Sequence, residues 1–101
     1  MKTVRFHPAA ESEMIGAAAY YETQQPLLGR RFLASIQDAV NRIILNPGMY
    51  ATVDRDVRRC LAGTFPFGVL FREMPDQIVI VAVMHLHREP GYWKNRTSPE
   101  G

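Results

Sequence analysis

The chain begins with alternation. Lys2, Val4 and Phe6 fall on one side of an extended segment and Thr3 and Arg5 on the other, so residues 2–6 predict a short strand. His7-Pro8 stops it. Proline suits a first helical turn, where its missing N–H has no partner to lose, and Glu11 and Glu13 follow near the positive helix end. From Pro8 to Gln25, the residues Ala10, Met14, Ala17 and Tyr21 recur at helical spacing and form one apolar stripe, which Ala18 widens. Leu28 to Asn46 predicts a second helix, with Leu28, Phe32, Ile36, Ala39 or Val40, and Ile43 along its stripe. Leu33 and Ile44 broaden that stripe, so more than one neighbour is expected. Pro26 ends the first helix and Asn46-Pro47-Gly48 the second. The link from Gln25 to Leu27 is so short that the two helices must form an antiparallel hairpin.

Met49 to Asp54 reads as a loop whose Met49 and Tyr50 pin the helix end to a sheet. Three strands follow: Val57–Leu61, Phe67–Glu73 and Gln77–His85, the last rich in β-branched residues. Met74-Pro75-Asp76-Gln77 is a tight turn, and Gly63 to Pro66 joins the other pair, which gives a meander. The expected fold class is α+β: an N-terminal strand and an antiparallel helical hairpin packed on a small antiparallel sheet, in the order β-α-α-β-β-β. Within the last strand, Val79, Val81 and Val83 alternate with Ile78, Ile80, Ala82 and Met84, and both sets are apolar. One set meets the helices. The other must meet the tail, a partner or a functional cleft. In the tail, Tyr92-Trp93 is too aromatic for free solvent and is expected to fold back. One domain over residues 1–96 is expected, with 97–101 frayed.

Composition narrows the function classes. The 101 residues carry 12 Lys and Arg against 10 Asp and Glu, a net charge of +2, too mild to imply nucleic acid by itself. One cysteine, Cys60, excludes an internal disulfide and a thiolate metal cluster, and fits a packing role in a strand. No apolar run is long enough to cross a bilayer or to serve as a signal peptide. There is no glycine loop for nucleotides, no paired-histidine helix motif and no serine in a nucleophile elbow. His85 and His87 would need a third ligand, such as Glu89, to hold zinc, so no metal and no cofactor is expected.

The informative cluster is basic and late. Arg55, Arg58 and Arg59 enter the first meander strand, and His85, His87 and Arg88 close the third, ahead of Tyr92, Trp93, Lys94 and Arg96. Meander geometry puts Arg59, His85 and Arg88 at one edge and Arg72 at the opposite end. Such a surface suits a polyanion or an acidic partner. The blander alternative is solvated charge with a few pairs to Asp54, Asp56 and Glu89.

Several segments, taken in order and spacing, resemble the RelE/ParE superfamily of toxins from bacterial type II toxin–antitoxin modules. They are Val4-Arg5-Phe6-His7-Pro8-Ala9-Ala10-Glu11, Ala19-Tyr20-Tyr21-Glu22, Leu28-Gly29-Arg30-Arg31-Phe32, Asn46-Pro47 and Asp56-Val57-Arg58-Arg59. The sharpest are Phe65-Pro66-Phe67-Gly68-Val69 and the run from Val83 to Trp93. The likeness spans Val4 to Arg96 and is closer to the ParE branch, often called plasmid stabilisation proteins.

The resemblance implies a cytoplasmic toxin, with no membrane association, neutralised by a cognate antitoxin whose C-terminal segment wraps it. DNA is then contacted mainly through the antitoxin. In the ParE branch it implies poisoning of DNA gyrase by binding, with no catalytic residue, and a target-binding surface drawn from Arg58, Arg59, His85, Arg88, Tyr92 and Trp93. The alternative is a RelE-like, ribosome-dependent mRNA endonuclease. There a 2′-hydroxyl attacks phosphorus, and His85, Arg59, Arg88 and Tyr92 would supply base, acid and cationic groups. RelE-like sites are notably basic, with several Lys and Arg on the strands, and this chain has only two lysines, Lys2 and Lys94. A protein-binding module with lost toxicity is the third reading.

Overall fold

The computed structural model describes residues 2–97. Strand β1 (Thr3–Phe6) leads through His7 into helix α1 (Pro8–Gln24). The His7 imidazole caps that helix: its Nδ1 accepts the N–H of Ala9 at 3.1 Å. Helix α2 (Leu28–Leu45) starts without a side-chain cap of its own. The preceding helix supplies one. Both oxygens of Glu22 accept backbone N–H groups, from Leu27 and Gly29, each at 3.0 Å, and so satisfy donors a helix start leaves open. Leu27 makes the reversal with φ of 70°. The helix bounds lie within one residue of the sequence reading.

A 3-10 turn (Pro47–Met49) follows, then β2 (Thr52–Asp54), β3 (Val57–Leu61), β4 (Phe67–Glu73), β5 (Gln77–His85) and a last 3-10 turn (Lys94–Thr97). The sheet order is β1-β5-β4-β3-β2. Phe32 and Ile36 are buried as the stripe predicts, against Val69, Phe71, Ile78 and Ile80. Tyr21, Phe32, Phe65 and Phe67 form an aromatic knot between hairpin and sheet, with Phe32 and Phe67 ring centres 4.9 Å apart. Cys60 is fully buried in this layer, and burial pushes its thiol pKa up. Tyr50 packs against Phe71, while Tyr20 is exposed.

Five features depart from the sequence reading. The segment read as a loop contains β2, an edge strand of three residues with a register irregularity, too short and too exposed to show a period. The sheet is mixed: β1 runs parallel to β5, with Thr3 opposite Gln77 and Phe6 opposite Ile80. Strand direction is not written in periodicity, and β1 reaches β5 only through the whole helical layer. Third, the alternation of β5 breaks. Leu70 faces Ala82 and Phe71 faces Ile80, so Val81 is a bulge residue without an opposite number. Ile78, Ile80 and Val83 consequently face the helices, while Val81, Ala82 and Met84 face away. Fourth, Met49 and Leu33 remain exposed, so neither pins nor widens the core within this chain. Fifth, Thr97 is part of the last turn, its hydroxyl donating to the Lys94 carbonyl at 2.9 Å. The rest of the tail expected to fray, 98–101, lies outside the described residues.

Gly29 sits where the two helices come closest. A Cβ there would stand 2.5 Å from the backbone oxygen of Ala18, whereas one at Gly16 would meet nothing. Gly29→Ala is expected to destabilise the fold by about 1–3 kcal/mol, since backbone must shift. Gly16→Ala should stabilise it by up to about 1 kcal/mol through helix propensity. Urea unfolding of the two variants checks the opposite signs.

Candidate functional site

The face of the sheet turned away from the helices has its own core. Val57, Leu70, Val81, Ala82 and Met84 meet the tail there, and Trp93, only 4% exposed, closes over them with Tyr92 beside it. The chain turns after β5 through a hydrogen bond from Arg88 N to the His85 carbonyl, at 2.9 Å. It turns again at Gly91, whose φ is +80°. The tail therefore does fold back, as the aromatic pair suggested.

What fixes the tail is Glu13, which the sequence reading placed only near a helix start. β1 ends at Phe6, so on that edge β5 runs on without a strand beside it, while β4 flanks its other edge. Glu13 accepts the N–H of Val83 at 3.0 Å, and Arg96 donates to the carbonyl of Val81 at 3.1 Å. The two side chains bind each other through a pair of bonds, 2.9 and 3.0 Å long. Tyr92 donates its hydroxyl to Glu13 at 2.7 Å. Burial, reinforced by the bond to Glu13 and its charge, pushes the Tyr92 phenol pKa well above its ordinary value. Burial pulls the Arg96 guanidinium down, but the bond to Glu13 and its charge more than offset this and leave it raised.

The residues singled out from sequence are only partly brought together. Arg58 lies on the helix side of β3, half-buried, and spends its guanidinium on the carbonyls of Tyr50 at 2.6 Å and Gly48 at 3.4 Å. His85 stands opposite Phe67, packs edge-to-face on its ring at 5.1 Å, and accepts the N–H of His87 through Nδ1. Phe67 belongs to the helix-side core, so His85 is on that side too. Arg59 is on the other face. Its aliphatic stem lies across Gly68, where a Cβ would be 3.0 Å from it. Arg88 stacks on the Tyr92 ring at 3.9 Å. Arg59 and Arg88 share a cleft of about 300 Å³ that His85 does not line. Leu70, Met84 and Trp93 make its floor, and Val53, Leu86 and Lys94 stand at its sides. Arg72 is at the far end, bonded to Asp56, and Lys94 faces Asp54 at 3.6 Å. The expected edge of Arg59, His85 and Arg88 is thus split by the pleat: strand ends meet, but side chains point to opposite faces.

Two outcomes are expected. Glu13→Ala leaves Arg96 without its partner in a site where both side chains are less than one-fifth exposed, and strips Val83 N–H of its acceptor. A loss of about 2–4 kcal/mol follows, read from urea unfolding. The Tyr92 phenol holds its proton more tightly in the fold than in the unfolded chain. Its contribution is therefore whole below about pH 10 and drains away as pH rises toward the folded value. Stability of the parent should fall more steeply above about pH 10 than that of Tyr92→Phe.

No curated protein matches the chain. One chain in the structure titled as the chromosomal ParDE TA system from P. aeruginosa is similar in fold, with a TM-score of 0.64 and 19% identity, covering 84% of this chain and 96% of that one. The family model described as ParE toxin of type II toxin-antitoxin system, parDE, matches residues 4–90. A hairpin on a five-stranded sheet with a basic cleft over its second core is how this sequence builds that family's domain, and the chain belongs to the ParE toxin family.

Proposed function

We propose that the protein is held inactive by a cognate antitoxin, whose C-terminal segment wraps it, and that it acts in the cytoplasm by binding DNA gyrase rather than by catalysing a reaction. The observation that carries the choice between binding and catalysis is the split of the basic cluster. A nuclease needs its base, acid and phosphate-binding cations around one phosphodiester. His85 lies on the helix side of the sheet, and Arg59 and Arg88 on the other. The fourth candidate, Tyr92, has its hydroxyl bonded to Glu13 and its pKa raised, which makes it a poor proton donor near neutral pH. A binding surface needs no such convergence. Arg59 and Arg88, with Tyr92 and Trp93 positioning them, form the surface assigned to the target. Arg58 and His85 serve the fold instead. The antitoxin is assigned the DNA contacts of the pair.

Purified protein added to gyrase is expected to trap cleaved DNA or inhibit supercoiling with no ribosome present, and to leave ribosome-bound message intact. Arg59→Ala and Arg88→Ala should weaken this in graded fashion, and His85→Ala should act only as far as it lowers the melting temperature. Codon-specific cuts in ribosome-bound message, lost on His85→Ala in a folded protein that still binds antitoxin, would overturn the reading in favour of a nuclease.

A further inference from the structure

The tail covers only part of the second sheet face. Trp93 closes over Val57, Leu70, Val81, Ala82 and Met84, but the end of the sheet where β3 finishes and β4 begins stays open. Leu61 is 51% exposed there, Leu86 39%, and Val53 on the neighbouring edge strand 40%. Leu86 lies over Gly68 together with the stem of Arg59. The result is an apolar seat overhung by two guanidinium groups. Neither Arg59 nor Arg88 has a carboxylate within ion-pair distance among the described residues. Gly68 holds Arg59 down on the sheet by leaving room for its stem, and the Tyr92 ring holds Arg88.

We propose that this end of the sheet receives a short acidic peptide segment of the toxin's protein target, with an apolar side chain seated on Leu61 and Leu86 and flanking carboxylates held by Arg59 and Arg88. The inference rests on the binding mode of action given above. Charge complementarity selects the occupant: guanidinium forks match carboxylates in two-bond geometry. A nucleic-acid strand fits less well. Strand-binding grooves combine backbone cations with exposed aromatic platforms for bases. Here Trp93 is buried, the Tyr92 ring carries Arg88, and the remaining apolar surface is aliphatic. An apolar side chain between acidic ones uses both the aliphatic seat and the forks. The cleft volume is at the lower limit for ligand pockets, enough for one or two side chains and too small for a large ligand.

The full chain, labelled with nitrogen-15, is titrated with the acetylated peptide Asp-Glu-Leu-Asp-Glu, with the same peptide carrying Ala for Leu, and with an octathymidylate strand. The first peptide is expected to bind best, to shift the amides of Leu61, Gly68 and Leu86, and to weaken as salt rises. Arg59→Glu should weaken it at least tenfold and Leu86→Ser severalfold, with Arg30→Glu, an exposed change on α2, matching the parent. Arg59 and Leu86 are exposed, so both variants should fold, and an unchanged Trp93 near-ultraviolet signal confirms it. The inference is overturned if the oligonucleotide binds as tightly as the peptide, if Arg59→Glu behaves as Arg30→Glu does, or if the shifted amides lie on α1 and α2. Gyrase supercoiling is read separately. Inhibition by the parent without peptide binding sinks this inference and leaves the mode of action standing. Peptide binding that depends on Arg59, with supercoiling untouched, supports the seat and removes gyrase as its source.

Discussion

A strand that outruns its neighbour leaves backbone donors and acceptors with nothing to bond, and burial makes that costly. β5 is in this position once β1 has turned into the first helix. The Glu13–Arg96 pair occupies the place of the missing strand, with a carboxylate accepting where a carbonyl would and a guanidinium donating where an amide would. The same two groups join α1 to the tail, so one pair ties together the helical layer, the sheet edge and the segment that covers the far face. The bulge at Val81 belongs to this arrangement, because it is at this residue and Val83 that the edge groups meet the pair.

The second core depends on that tie. Five of its members are on the sheet and are apolar whether covered or not, but Trp93 reaches them only when the tail is held. Once there, the tail also builds the walls of the basic cleft: Arg88 rests on Tyr92, and Lys94 faces Asp54 across it. The surface assigned to the target is therefore a product of packing on the side remote from the helices, while the exposed apolar residues of the hairpin, Ile15, Tyr20 and Leu33, lie on a different surface.

Periodicity revealed both helices, their antiparallel hairpin and the three longer strands, because each carries at least five residues of consistent pattern. It also revealed that the second apolar face of β5 needed the tail, a partner or a cleft. It did not reveal β2, whose three residues hold no pattern, nor the parallel partner of β1, since direction leaves no mark on alternation. The site was harder. Meander logic correctly brought Arg59, His85 and Arg88 to the same end of the sheet, but a single residue of parity separates one face from the other, and His85 falls on the wrong side of it. Glu13 was hidden because a carboxylate early in a helix already has an ordinary explanation in the helix dipole.

Glu13 and Arg96 stand 83 positions apart, and Thr3 pairs with Gln77. Contacts of such separation form late, after the entropy of closing a long loop has been met. A chain made from its N-terminus can assemble the hairpin from neighbouring residues well before β5 exists, yet it can neither seat β1 nor secure the tail until almost the whole domain has left the ribosome. The basic cleft, built by that tail, is accordingly the last part of the molecule to come into being. A truncated or stalled product would carry the helical hairpin without the cleft proposed to bind the target, so on that proposal the growing chain could not act before its tail is made.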